Sequence, residues 1–338
     1  MLTAGPNDVT GASFYGKISY LIVALTSRCN LHCAGCIQNA SAKGNDMDDR
    51  VMDTLLARMD NGKPLLVQLT GGEPTLLPEK IERFARAVQQ FRRKPRLALQ
   101  TNGTLITPHL VAILRKYEIE TGLSIDGPPE LQEELRGGST AALKGLRLLE
   151  AKRIPFRVTT VVSAASVGQL DKLALFLAAF SGCRGMGLDL LVKKGRGTTR
   201  ALSSPESLTE NVRRLVSTLR FINSRRKIPL QLRELSLLER GRGAAFCHAA
   251  SGRSLAVTPT GRLYPCGQVM NEESFSLGSI EDPRPRHHLL QSVRLQCPEG
   301  VECELQGRCP GDCPSRLLTN GDDGQLICAL YRGIQESC

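Results

Sequence analysis

Residues 20–36 read Tyr20-Leu-Ile-Val-Ala-Leu25, then Thr26-Ser-Arg-Cys29-Asn-Leu-His-Cys33-Ala-Gly-Cys36. A short apolar run that ends in polar residues reads as a buried strand, and here three thiols follow it on a loop. Five further runs of this kind lie at 65–70, 97–101, 121–125, 156–162 and 187–192. Amphipathic segments separate them, several with helix-start signals: Asp46, Asp48 and Asp49 before a run ending at Asn61 and Gly62, then Pro78, Thr107 with Pro108, and Ser204 with Pro205 and Glu206. Repeated βα units of this sort predict an α/β fold with six parallel strands in a partial, TIM-like (β/α)6 barrel.

The unusual residues fall just after the strands. The three cysteines follow the first, Gly71-Gly-Glu-Pro74 the second, Thr101-Asn-Gly103 the third, Ser124 to Pro128 the fourth and Lys193 to Gly197 the sixth. All of these would line one rim, the face on which such barrels place their chemistry. Beyond about residue 240, Gly, Pro and Cys dominate, which predicts a small domain held by ligation more than by a core. The expected organisation is a barrel over 1–225, a connector over 226–243 and a cysteine-rich domain over 244–338.

The composition narrows the function. The chain has 338 residues, 41% of them apolar, enough for a barrel-sized core. No run approaches the 18 or so apolar residues of a spanning helix, and residues 20–25 are too few for a signal peptide, so a cytoplasmic protein with no membrane partner is expected. Twelve cysteines in such a chain imply thiolates that hold something in a reducing compartment. The formal charge of +11 points to an anionic partner, but 4% aromatic content leaves few stacking platforms and argues against nucleic acid.

Cys29, Cys33 and Cys36 are spaced C-x3-C-x2-C. Three thiolates on a tight loop suit three irons of a [4Fe–4S] cluster with the fourth left open. A zinc site completed by His32 is the alternative, although His32 sits between two of the cysteines and the loop would have to fold back on itself.

This loop after strand one, with Gly71-Gly72-Glu73-Pro74 after strand two, resembles the radical SAM superfamily. The resemblance implies that the open iron binds S-adenosylmethionine (SAM), that the GGEP loop receives its methionyl amino group, and that reduction of the sulfonium yields a 5′-deoxyadenosyl radical. Two glycines would let backbone carbonyls approach the ammonium, with Glu73 adding charge complementarity. The segments Leu99-Gln-Thr101-Asn102-Gly103 and Leu123-Ser124-Ile-Asp126-Gly-Pro128 are similar to those of peptide-modifying members, where the serine and an arginine twelve residues later, here Ser124 and Arg136, contact the cofactor. Asp126 would orient the ribose or cap a turn, and the Lys193–Gly197 loop would bind the methionyl carboxylate or an acidic substrate. The family's aromatic residue before the third cysteine is Gly35 here, so another side chain must cover the purine.

The distal cysteines resemble the seven-cysteine SPASM extension. The resemblance implies one auxiliary [4Fe–4S] cluster on Cys297, Cys303, Cys309 and Cys328, and a second on Cys247, Cys266 and Cys313. The second lacks a fourth thiol because Gly241 stands where some relatives have cysteine. Five residues separate Cys297 from Cys303 where two are usual. Cys183, read as a buried helix-end residue, and Cys338 match nothing.

The function implied is oxidative modification or cross-linking of a peptide or protein by a radical SAM and SPASM maturase. Its auxiliary clusters would accept electrons or hold substrate, and an external donor such as flavodoxin or ferredoxin would supply the reducing electron. The sulfatase-maturating subgroup places its aspartate base after the second SPASM cysteine; Gly267 occupies that position, which argues against alcohol oxidation by that route. Only 28 residues precede Cys29, so a separate leader-peptide-binding partner is an expectation. Tyr264, beside Cys266, is a candidate acid, Asp126 is a second catalytic candidate, and His287 and His288 read as solvated. The alternatives are a radical SAM oxidoreductase acting on a small molecule or tetrapyrrole, and a zinc-stabilised binding protein without enzymatic activity.

Overall fold

The computed structural model describes residues 14–241, 247–293, 303–305, 307–321 and 324–337. Six strands, β1 (Tyr20–Thr26), β2 (Leu66–Gly71), β3 (Arg96–Thr101), β4 (Glu120–Ser124), β5 (Phe156–Val162) and β6 (Cys183–Leu190), pair in chain order, all parallel. Helices α1 (Asp49–Met59), α2 (Pro78–Val88), α3 (Pro108–Lys116), α4 (Pro129–Leu135), α5 (Ser139–Ala151) and α6 (Leu170–Ala178) supply the crossovers. Their starts follow the sequence signals: Asp48 accepts from the Arg50 N–H, Thr107 from that of Leu110, and Pro78 occupies the first turn of α2. The fold is the open α/β barrel expected.

Alternation along the strands decides where the site can be. Leu21, Val23 and Leu25 of β1, Val67 and Leu69 of β2, Leu97 and Leu99 of β3 and Leu123 of β4 belong to the main apolar core. The intervening residues of the same strands include Gln68, Gln100 and Ser124, and with Thr159 and Asp189 they line a cavity. In β2, β3 and β4 one face is therefore packed and the other carries polar residues toward the cavity.

The sixth strand begins four residues before the expected 187, at Cys183, which opens the strand instead of ending a helix and is fully buried. After α7 (Pro205–Asn223), β7 (Gln231–Leu232) extends the β6 edge and runs into α8 (Arg233–Arg240), closed by Gly241 at φ 66°. That left-handed position favours glycine.

The region beyond 244 is not held by ligation alone. β8 (Ser254–Val257) pairs in parallel with β1 and antiparallel with β9 (Leu263–Tyr264), so the described sheet has nine strands ordered β7-β6-β5-β4-β3-β2-β1-β8-β9. A second apolar cluster joins Ile22 and Ala24 of β1 to Ala256, Tyr264, Val269, Met270, Phe275 and Leu290. After α9 (Pro314–Asn320), α10 (Gln325–Gln335) places Leu326, Ile327, Leu330, Tyr331 and Ile334 in the main core. The physical reason is an i, i+3/i+4 apolar stripe on α10 that seats the end of the chain on the barrel. Gly333 lets α10 approach α7 closely, since a Cβ there would lie 2.8 Å from the Thr209 carbonyl oxygen. No helix among the described residues is long and apolar enough to cross a membrane.

Candidate active site

The polar face of the barrel opens into a cavity of about 530 Å³. Cys29, Cys33 and Cys36 stand in its wall, as do Gly71 to Glu73, Thr101, Asn102, Ser124, Asp126 and Arg136. Cys266 and Gly267 border the same cavity from the far side of the chain. The structure thus brings the first cysteine group and one distal cysteine to one space.

The glycine loop is shaped by the cysteine loop. The Gly72 N–H bonds the Thr26 carbonyl at 2.8 Å and the Glu73 N–H bonds that of Arg28 at 2.8 Å. A Cβ on Gly71 would lie 2.2 Å from the Thr26 oxygen, and one on Gly72 would lie 2.1 Å from the Arg28 oxygen. These glycines therefore serve close backbone approach within the protein, before any ligand is considered. Replacing Gly72 with alanine should push the cysteine loop outward and cost about 1–3 kcal/mol. A thermal melt beside an equilibrium-dialysis measurement of SAM binding checks it, with both expected to fall.

Glu73 is turned into the protein. Its Oε1 accepts from the Thr75 N–H at 3.1 Å, the Thr75 hydroxyl at 2.5 Å and the Thr101 hydroxyl at 2.6 Å, and its Oε2 accepts from the Asn102 N–H at 2.8 Å. Burial pushes its carboxyl up, and these four donors pull the other way. Its placement ties the loops after β2 and β3 together, a role that the expectation of a bare charge for an ammonium did not contain. Pro74 opens a buried single turn that continues to Leu76. Asn102 carries the link onward, donating to Asn30 Oδ1 at 3.0 Å and standing 4.0 Å from Cys29 Sγ.

Arg136 follows the end of α4, borders the cavity and is braced from within the protein. Its Nε and Nη2 bond Asp126 at 2.6 and 3.0 Å in a nearly buried pair, and Asp126 also accepts from the Val161 N–H at 2.7 Å. Asp126 thus braces Arg136 in place of capping a turn. The guanidinium pulls the Cys33 thiol down against the larger effect of burial, which raises it. Ser124 accepts from Gln100 Nε2 at 2.9 Å.

The basic loop after β6 is a bracket. Arg196 donates to the Cys33 carbonyl at 2.8 Å and the Ala40 carbonyl at 3.0 Å, and its own N–H bonds the Cys36 carbonyl at 3.0 Å. Lys194 reaches the Gln268 carbonyl at 2.6 Å, the Met270 carbonyl at 3.2 Å and the Glu272 carboxylate. Gln38 of the cysteine loop donates to the Gly267 carbonyl at 2.6 Å. Both cations are engaged within the protein, and Arg196 also borders the cavity. At Gly35, Leu191 lies against the backbone, 3.8 Å from where a Cβ would stand.

Cys247, Cys266 and Cys313 form a second neighbourhood. Burial, with Cys313 and Cys247 close by, pushes the Cys266 thiol up to about 12, and Cys313 is raised by burial in the same way. Gln268 Oε1 accepts from Cys313 Sγ at 3.4 Å, and its backbone N–H donates to Cys266 Sγ at 3.4 Å. Cys303 and Cys309 pack against the main core, and Cys328 lies on α10. Cys297 and Cys338 lie outside the described residues.

The thiols fit iron–sulfur ligation on the chemistry of the donor set. Cys29, Cys33, Cys36, Cys247, Cys266 and Cys313 are all unbridged. Cys29, Cys33, Cys266 and Cys313 are raised by burial, a state that a cationic metal core would reverse. Among the described residues, no three His, Cys, Asp or Glu side chains converge to hold a single ion, whereas a cube spreads its thiolates over separate irons.

Tyr264 is buried in β9, belongs to the second apolar cluster and does not border the cavity, so packing replaces the acid role considered for it. His288 is buried, in contrast to the solvated reading, and neither it nor His287 borders the cavity. Gln68, Gln100, Thr159 and Asp189 were missed as cavity residues. The signal for them was present as single polar residues at every second place in strands read as apolar runs.

Fold and cavity together define a SAM-dependent radical enzyme with one distal cysteine, Cys266, in its cavity wall. The model described as the Radical SAM superfamily matches residues 23–170, and the chain belongs to that superfamily, in the branch with a C-terminal SPASM extension. The antilisterial bacteriocin subtilosin biosynthesis protein AlbA of Bacillus subtilis is 30% identical over 330 residues, 92% of this chain and 70% of AlbA. The AdoMet-dependent heme synthase of Methanosarcina barkeri is 28% identical over 340 residues, 92% of this chain and 93% of the synthase. Among solved structures, native anSMEcpe with bound AdoMet shares the fold at a TM-score of 0.72 and 21% identity, covering 95% of this chain and 99% of that one.

Proposed function

We propose that this chain is a radical SAM maturase that oxidatively modifies or cross-links a peptide or protein. The observation that carries the reading is the single cavity onto which Cys29, Cys33, Cys36 and Cys266 all open, large enough for SAM and one substrate residue. Cys29, Cys33 and Cys36 would hold the SAM-binding [4Fe–4S] cluster. Cys247, Cys266 and Cys313 would hold one auxiliary cluster, and Cys303, Cys309 and Cys328 with Cys297 the other. When bound, these groups and SAM supply one-electron cleavage of the sulfonium and hydrogen-atom abstraction.

The protein's own part is aim and shielding. The main chain of Gly71 and Gly72, with Thr101, Asn102 and Ser124, would receive the methionyl and ribose groups. Glu73, Asp126 and Arg136 would keep those loops in register, and Leu191 would cover the purine at Gly35. Residues 1–225 would act as the barrel, 226–243 as the connector and 244–338 as the auxiliary domain. A flavodoxin or ferredoxin as donor, a separate leader-binding partner and a cytoplasmic setting complete the reading. AlbA is named for making the peptide subtilosin, which supports a peptide substrate. Similarity to the heme synthase over 93% of its length favours a tetrapyrrole as the second reading.

The test is anaerobic reconstitution with SAM and reductant, followed by mass spectrometry. Peptides encoded beside the gene should lose a pair of hydrogens as 5′-deoxyadenosine appears. Unchanged peptides together with a converted tetrapyrrole would select the second reading.

A further inference from the structure

Six charged side chains border the cavity: Glu73, Asp126, Arg136, Asp189, Arg196 and Arg233. Five are engaged inward. Glu73 takes four donors, Asp126 and Arg136 hold each other, and Arg196 is bound to main-chain carbonyls. Arg233 is held by the buried Glu234 through Nε at 2.8 Å and by the Leu188 carbonyl at 2.7 Å. Asp189 differs. Its Oδ1 accepts from Arg233 Nη2 at 2.7 Å, its other oxygen takes no hydrogen bond from any described residue, and its side chain is 46% exposed.

The orientation of Asp189 is built from behind. Arg233 lies on Gly187, where a Cβ would come within 2.9 Å of the guanidinium carbon, so the glycine makes the floor for that group. Glu234, 3% exposed, fixes the guanidinium from the interior. A carboxylate with one oxygen clamped and the other free is pre-organised to accept a proton from a bound molecule. Asp189 also borders a second, smaller cavity together with Gln268 and Cys313. It therefore stands at the Cys266 side of the main cavity, where Gly267 itself offers no side chain.

We propose that Asp189 is the catalytic carboxylate of the oxidation, accepting through Oδ2 the proton of a substrate hydroxyl, thiol or amide. The inference rests on the peptide-maturase reading. With SAM and the clusters bound, one hydrogen atom of the substrate carbon would go to the adenosyl carbon that SAM supplies. The remaining electron would be taken by an oxidised auxiliary iron–sulfur cluster, and the X–H proton moves to Asp189. Thus C–H and X–H bonds break, one C–X bond is made, and the substrate is oxidised by two electrons.

The experiment uses the reconstituted full chain, SAM, reductant and the gene-adjacent peptides in D2O, with Asp189→Asn and Gly187→Ala beside the wild type. A positioned base contributes roughly 10²–10⁴-fold. In Asp189→Asn, modified peptide per 5′-deoxyadenosine should therefore fall by about 10²-fold or more. 5′-Deoxyadenosine should still form, and unmodified peptide should be recovered carrying solvent deuterium. Gly187→Ala, whose Cβ would press on the Arg233 guanidinium and shift the clamp on Asp189, should lower the same ratio by a smaller factor. An unchanged ratio in Asp189→Asn, or a proportional loss of both products, overturns the assignment and leaves the maturase reading standing. Should Asp189→Asn not fold, the Gly187→Ala ratio decides in the same way. Wild-type protein that changes none of the peptides overturns the maturase reading, and this inference with it.

Discussion

Reconstituted Cys33→Ala protein is expected to form almost no 5′-deoxyadenosine. Loss of groups that merely support a metal ligand typically lowers affinity or activity about 10–100-fold, so removal of a ligand itself should exceed about 100-fold. Cys33 stands in the cavity wall, and its carbonyl is clamped by Arg196, so the loop should keep its path when the thiol is deleted. Chromatography of the nucleoside product and Mössbauer spectra of the two proteins check this. Cys183→Ala is the control, because Cys183 is buried at the start of β6 and does not border the cavity. Identical spectra from wild type and Cys33→Ala would remove the basis for ligation by this trio.

The second large effect is on stability. Glu73→Ala would strand two buried backbone donors, the Thr75 and Asn102 N–H groups, at about 1–3 kcal/mol each, while the threonine hydroxyls can rotate elsewhere. Glu73→Gln should recover only part of this, because an amide nitrogen placed at either oxygen position meets a donor. Urea melts should order the three proteins wild type, Gln, Ala. Comparable midpoints for wild type and Ala would show that the carboxylate does not tie the loops together.

The barrel was legible because each βα unit carries its own local signals: a short apolar run, a capping residue, and a loop with unusual residues. Asp48, Thr107 and Pro78 act within a turn of where they stand, so reading them needs no knowledge of the rest of the chain. The cavity lining was less legible. Gln68, Gln100 and Asp189 sit inside runs dominated by leucine and valine, and only the pairing of strands shows that they share one face. The pairs that organise the site were not readable at all. Lys194 meets Gln268, and Gln38 meets Gly267, across separations that no local pattern encodes. Nor could local pattern show that Arg136 and Lys194 find acceptors within the protein, since only the fold brings Asp126 to the one and the carbonyls of Gln268 and Met270 to the other. The apolar stripe of α10 was present in the sequence, but the cysteines around it drew attention to ligation instead.

The segment over the cavity is anchored through its carbonyls: Gly267 to Gln38, and Gln268 and Met270 to Lys194. Main-chain oxygens survive nearly every amino-acid replacement. The side chain at 267 can therefore be varied, or randomised in a library, while the attachment persists, whereas Met270 is held by the second apolar cluster. The cavity wall beside Cys266 can thus be reshaped at 267 without loosening how that segment is fastened.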